Sequence, residues 1–89
     1  MSLNPKPKIQ NPKFPVDSFL DTFGLFCPVP IMKTAQRIKT MSVGQVLEVL
    51  ADDEQILEDM PAWCKSHGHA FLEVIEASGE YRLYVKKLH

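Results

Sequence analysis

The run His69-Ala-Phe-Leu-Glu-Val-Ile-Glu-Ala-Ser-Gly-Glu-Tyr-Arg-Leu-Tyr-Val-Lys-Lys87 carries the clearest architectural signal in this chain of 89 residues. Two stretches of strand length, His69 or Ala70 to Ala77 and Glu80 to Lys87, flank Ser78-Gly79. A two-residue connection of that kind is a hairpin signal. In the second stretch Tyr81, Leu83 and Val85 alternate with polar neighbours, so one face is aimed at a core. Upstream, Gln45 to Ala51 is an apolar run of buried-strand length. Val16 to Phe23, closed by Gly24, reads as a further strand.

Between these lie two helical patterns. Ile31, Ala35 and Ile38 recur at i, i+4 and i+7 after Pro28, predicting a helix that ends near Met41, before Gly44. Ile56, Met60, Trp63, Cys64 and His67 form a second stripe stopped by Gly68, with Asp52 and Asp53 as N-cap candidates. Pro61 lies inside that stripe. A proline there costs roughly 3 kcal/mol, which predicts a kink, or a restart with Asp59 as a second cap. The order is βαβαββ. It predicts an α/β two-layer sandwich, a four-stranded mixed sheet with two helices packed on one face.

Residues 1–15 differ from the rest, holding Pro5, Pro7, Pro12 and Pro15 with Lys6, Lys8 and Lys13 and no acid. They read as a flexible Pro/Lys-rich tail ahead of a domain at 16–89. The body keeps seven basic and eleven acidic residues, a net of -4 within an overall formal charge of -1. That balance offers no field for nucleic acid or an anionic membrane, so direct nucleic-acid binding is not expected. No apolar run is long enough to span a bilayer and no signal peptide is evident, which points to a cytoplasmic protein. A chain this short buries only roughly 60% of its unfolded surface. It has no room for an enclosed ligand cavity of about 300 Å³, so chemistry belongs on the surface, with a partner completing the site.

Cys27-Pro28-Val29-Pro30 is where such chemistry is expected. Pro28 suits the first helical position and Pro30 the same unpaired first turn. Cys27 then falls at the N-cap, where free N–H groups and the helix dipole would stabilise a thiolate. Between Asp21 and Glu48 the chain has no acid, while Lys33, Arg37 and Lys39 make the first helix basic. These three are candidate partner contacts, or else dipole complements on a solvated face. Cys64 shares the apolar stripe and reads as an inert core thiol. Cys64, His67 and His69 lack a fourth ligand, so no metal is expected, and no cofactor motif appears. A Cys27–Cys64 disulfide stays open at this level, although a reducing compartment favours free thiols.

The run Asp21-Thr-Phe-Gly-Leu-Phe-Cys-Pro-Val-Pro30 resembles the Asp-x-x-Gly-Leu-x-Cys-Pro-x-Pro signature of the TusA/SirA-like sulfur-carrier family. Gly44 with Glu48-Val-Leu-Ala-Asp-Asp53, Asp59-Met-Pro61 and Gly68-His69 are similar to later landmarks of that family, so the resemblance spans residues 17 to 87. It implies a sulfurtransferase acting with partners, in which Cys27, supported by Gly24, Pro28 and Pro30, accepts sulfane sulfur as a persulfide and relays it onward. The implied donor is a cysteine desulfurase or a rhodanese, and the implied acceptors serve tRNA thiolation, molybdenum-cofactor assembly or sulfur oxidation. The family's usual Arg before the cysteine and Glu between the prolines are here Phe26 and Val29, which bears on partner choice. Phe26 is read as a core residue at a strand end, with an exposed docking contact as the other reading. The competing functions are a thiol redox sensor and a non-catalytic regulatory or RNA-binding module.

Overall fold

A computed structural model describes residues 14–89. The elements are β1 (Ser18–Asp21), α1 (Val29–Lys39), β2 (Val46–Ala51), α2 (Ile56–His67), β3 (Ala70–Ala77) and β4 (Glu80–Lys86), as the order of apolar periodicities predicts. The sheet runs β1-β2-β4-β3. β1 pairs parallel with β2, and β4 is antiparallel to both β2 and β3. The hairpin joining β3 and β4 turns on Ser78 and Gly79, both at positive φ (54° and 78°), the conformation that a tight two-residue connection requires.

Both helices lie on one face. Leu20, Leu47, Val49, Ala51, Tyr81, Leu83 and Val85 from the sheet meet Ile38 and Met41 at the end of α1 and Ile56, Met60 and Cys64 of α2 in a single core. On α1 the predicted stripe of Ile31, Ala35 and Ile38 is shifted, because Pro30, Thr34 and Ile38 are the buried positions. Thr34 tolerates burial by donating its hydroxyl to the Pro30 carbonyl at 2.8 Å. Beyond the helix C-terminus, the Lys87 ammonium donates to the carbonyls of Ile38 and Met41 at 2.8 and 2.9 Å, satisfying groups that have no partner within the helix.

α2 is one helix running through Pro61, neither broken nor restarted at Asp59. The irregularity lies in its entry, where Ile56, Leu57 and Glu58 bond three residues back to Asp53, Glu54 and Gln55. Met60 and Cys64, on either side of the proline, are both buried, and this packing offsets the hydrogen bond that the ring removes. The helix closes at Gly68 in the left-handed conformation, φ 77°, and the N–H of the following His69 donates to the Cys64 carbonyl at 2.9 Å.

The opposite face of the sheet carries Tyr84, which is also buried. Its hydroxyl donates to Glu48 at 2.9 Å, and Arg82 forms ion pairs with Glu48 and Glu80. Phe14 packs edge-on against the Tyr84 ring with centroids 5.4 Å apart. The remainder of the expected tail, residues 1–13, lies outside the described residues.

Replacing Lys87 by Met keeps the aliphatic stem and removes both bonds, to the Ile38 carbonyl of α1 and to the Met41 carbonyl just beyond it. The expected loss is about 1–3 kcal/mol, read as a lower urea midpoint with an unchanged m-value.

Candidate functional site: the Cys27 loop

Because β1 and β2 are parallel neighbours, with Asp21 level with Leu50, the loops that follow them emerge side by side. The first, residues 22–28, carries the cysteine; the second, residues 52–55, carries Asp52, Asp53 and Glu54. Thr22 pins the start of the first loop, since its N–H and hydroxyl both donate to the Leu50 carbonyl, at 2.8 and 2.7 Å. Gly24, at φ 84°, then donates its N–H to Asp52 Oδ1 at 2.8 Å. Cys27 donates its N–H to Asp53 Oδ2 at 2.8 Å.

This use of the acids corrects their expected role. Residue Gln55 occupies the N-cap of α2 and no side chain caps the helix. Asp52 and Asp53 bond across to the cysteine loop, with Asp53 Oδ1 also accepting the Gln55 N–H at 3.2 Å. Asp59 is no cap either; it sits in the first turn of α2 and accepts the Gln55 side-chain amide at 3.2 Å.

The placement of Cys27 is corrected as well. α1 begins at Val29 with Pro28 as its N-cap, so Cys27 stands one residue outside the cap, followed by a cis peptide to Pro28. Pro30 is buried in the first turn, and the Met32 N–H reaches the Pro28 carbonyl at 2.9 Å. The Cys27 thiol is pushed up to about 11, first by burial and then by the charges and hydrogen bonds of Asp53 and Asp59. Its nearest charges are therefore carboxylates rather than the basic residues of α1, and the thiolate-favouring site predicted from the sequence is not what the fold builds. Asp53, in turn, is held below the ordinary carboxylate range by the N–H groups of Cys27 and Gln55.

Cys27 is half-buried and Cys64 is 1% exposed within the core; both are free. Burial alone pushes the Cys64 thiol up to about 11. Phe26 is the most exposed of the large apolar side chains among the described residues, at 76%, and not the core residue expected of it. Phe23, Val29 and Met32 are exposed too, so the loop and first helical turn form an apolar collar that flanks Cys27 along the chain. Of the basic candidates, Lys33 and Lys39 are exposed. Arg37 is engaged, donating to the Ser18 hydroxyl at 2.9 Å and the Phe19 carbonyl at 2.8 Å along β1. A shallow cleft of about 300 Å³ lies between Leu20, Lys33, Gln36, Arg37 and Thr40, without Cys27 among its walls.

Among the described residues, no three His, Cys, Asp or Glu side chains are placed to hold a metal, and no helix is long and apolar enough to cross a membrane. His67 and His69 stack on Trp63, with centroids 4.8 and 5.5 Å away, and His89 stacks on His69. The collar and the Asp53–Asp59 surroundings of the thiol are the features that sequence reasoning missed. The signal was present: two acids directly after β2 must meet whatever follows a parallel β1.

A family model described as sulfurtransferase TusA matches residues 18–87. A chain from Archaeoglobus fulgidus is 41% identical over 69 residues, covering 78% of this chain and 94% of that one. The sulfur carrier protein TusA of Allochromatium vinosum is 38% identical over 71 residues, 80% of this chain and 93% of its own. The crystal structure of a SirA-like protein from Desulfitobacterium hafniense superposes with a TM-score of 0.72 at 17% identity, over 82% of this chain and all of that one, which establishes the shared fold.

The site sets both edges of the pH–stability profile. Asp53 is more acidic in the fold than in the open chain, so its contribution is present above the ordinary carboxylate range and is lost as the pH falls through its lowered value. The thiols of Cys27 and Cys64 are less acidic in the fold; their contribution is fully present below 9.0 and is lost as the pH rises towards about 11. Urea midpoints measured against pH should fall at both ends. Asp53→Asn should flatten the acid edge and Cys64→Ala the alkaline one, and curves superposable on wild type would contradict these assignments.

Proposed function

We propose, since the chain belongs to the TusA family of sulfurtransferases, that Cys27 carries sulfane sulfur as a persulfide and passes it to an acceptor protein. The observation supporting this reading is the contrast between the two cysteines: Cys27 reaches solvent from a loop fixed by Asp52 and Asp53, whereas Cys64 is sealed in the core. A cysteine only half-buried on a short loop can enter a donor's site and then an acceptor's, and thiol exchange chemistry requires that access at both steps.

The donor is a cysteine desulfurase or a rhodanese, and the work is completed in the partner's site, because Cys27 lies outside the cleft beside α1. Phe23, Phe26, Val29 and Met32 form the contact that a partner buries on docking, with Lys33 and Lys39 available at its margin. Acceptors in tRNA thiolation, molybdenum-cofactor assembly or sulfur oxidation fit this role, in the cytoplasm. Burial of Cys64 disfavours the redox-sensor reading, which needs a second thiol or a reactive thiolate. The engagement of Arg37 with β1 weakens the basic face that a nucleic-acid module would need.

Incubation with a cysteine desulfurase and cysteine should add one sulfur atom by intact mass, removable by dithiothreitol. The gain should disappear in Cys27→Ser and persist in Cys64→Ala. Sulfur retained by Cys27→Ser would move the site elsewhere.

A further inference from the structure

Three histidines gather at the end of α2, where the sulfur chemistry makes no use of them. The start of α2 lies beside the cysteine loop, since Asp53 holds the N–H groups of both Cys27 and Gln55. The helix then runs 12 residues, about 18 Å, to His67, so the histidines stand at the opposite pole. His67 and His69 flank Gly68 and both stack on Trp63. His89 lies flat on His69, with centroids 4.7 Å apart and planes 10° from parallel.

His89 reaches this stack on a strap, residues 87–89, that follows β4. One half of the strap is tied to the end of α1 and the turn after it. There the Lys87 ammonium bonds the Ile38 and Met41 carbonyls, and its backbone pairs with Gly44 and Gln45. The other half is tied to the end of α2: the Leu88 N–H donates to His69 Nδ1 at 3.2 Å, and His89 Nε2 donates to the His67 carbonyl at 2.7 Å. Gly68 leaves room for the ring, because a Cβ there would stand 3.0 Å from His89 Nε2.

These bonds differ in their response to a proton. A carbonyl only accepts, so His67 donates Nδ1–H to the Trp63 carbonyl at 3.0 Å and His89 donates Nε2–H, and both bonds survive when the rings are charged. His69 is the exception. It accepts at Nδ1, using a lone pair that exists only in the neutral ring. A proton there sets one N–H against another and places a cation on the face of His89. Burial first, and then the charges of His89 and Lys87 from the strap and of His67 from α2, hold the protonation of His69 below its usual range.

We propose that residues 88–89 are a proton-released latch: neutral His69 holds them closed against the end of α2, and protonation of His69 frees them while Lys87 stays anchored. The hinge is the link between Lys87 and Leu88. Closure requires the neutral ring, so the latch is fully shut above the ordinary histidine value of 6.5 and opens as the pH falls through the lowered value of His69. Opening turns a closed aromatic stack into an open, cationic one. The latch is independent of the persulfide reading of Cys27.

The full chain, labelled with nitrogen-15, is followed by NMR from pH 8 to pH 5. Ring signals of His69 report its protonation, and the heteronuclear NOE of the Leu88 and His89 amides reports whether they are fixed. In wild type both NOE values should equal those of β4 at pH 8 and fall to about half as His69 takes up its proton, with one midpoint below 6.5. Lys86 and Lys87 should stay fixed throughout. His69→Phe keeps a ring without an acceptor and should leave Leu88 mobile at every pH, whereas His67→Gln should still open in acid. Dispersed core amide signals confirm that each variant folds. Leu88 and His89 that remain fixed once His69 is charged, or that are already mobile at pH 8, overturn the latch. A His69→Phe chain that stays closed at pH 8, or a His67→Gln chain that no longer opens, removes His69 as the trigger and overturns it as well.

Discussion

Two hydrogen bonds, from the Gly24 N–H to Asp52 and from the Cys27 N–H to Asp53, join the loops that follow the parallel strands β1 and β2. The conformation of the cysteine loop depends on them. A seven-residue connection rich in backbone polar groups needs partners for those groups, and carboxylates make the stronger, charge-assisted class of such bonds. They can do so because the parallel register sets Asp21 beside Leu50 and Thr22 locks onto the Leu50 carbonyl, so the loops diverge from a common point.

The same bonds determine the chemistry. A carboxylate that holds a backbone N–H brings its charge to the adjacent side chain, so the cysteine is fixed in position and made less acidic by one device. Near it in the chain, Phe23 and Phe26 of the loop and Val29 and Met32 of α1 are exposed. A neutral thiol within an apolar rim loses less hydration on docking than a thiolate would, and a partner that excludes water strengthens every charge remaining there.

The fold was largely legible in the sequence. Tyr81, Leu83 and Val85 on one side of β4, the Ser78-Gly79 turn and the Gly68 stop are period and turn signals that act locally, and tertiary packing left them intact. Less of the site was legible. Cys-Pro-x-Pro marked the start of the first helix but not its cap, because prolines at 28 and 30 allow the helix to begin at either side of Pro28. Asp52, Asp53 and Asp59 read as caps since capping is a local function of acids before an apolar stripe, whereas Gly24 and Cys27, the backbone groups that Asp52 and Asp53 hold, lie 28 and 26 residues away along the chain. Phe26 at a strand end reads as core by composition, and its exposure follows from a loop whose course is set by those distant bonds.

The charge state of Cys27 follows from this loop geometry and is measurable without any partner. Selective carbon-13 labelling of the cysteine Cβ, followed by NMR through a pH titration, reports the thiol at position 27 apart from that of Cys64. A midpoint near 11 is the value that burial together with Asp53 and Asp59 imposes. A midpoint below about 8.5, the value of an ordinary free cysteine, would mean that the helix N-terminus and not the acid pair governs the sulfur, and would contradict the account.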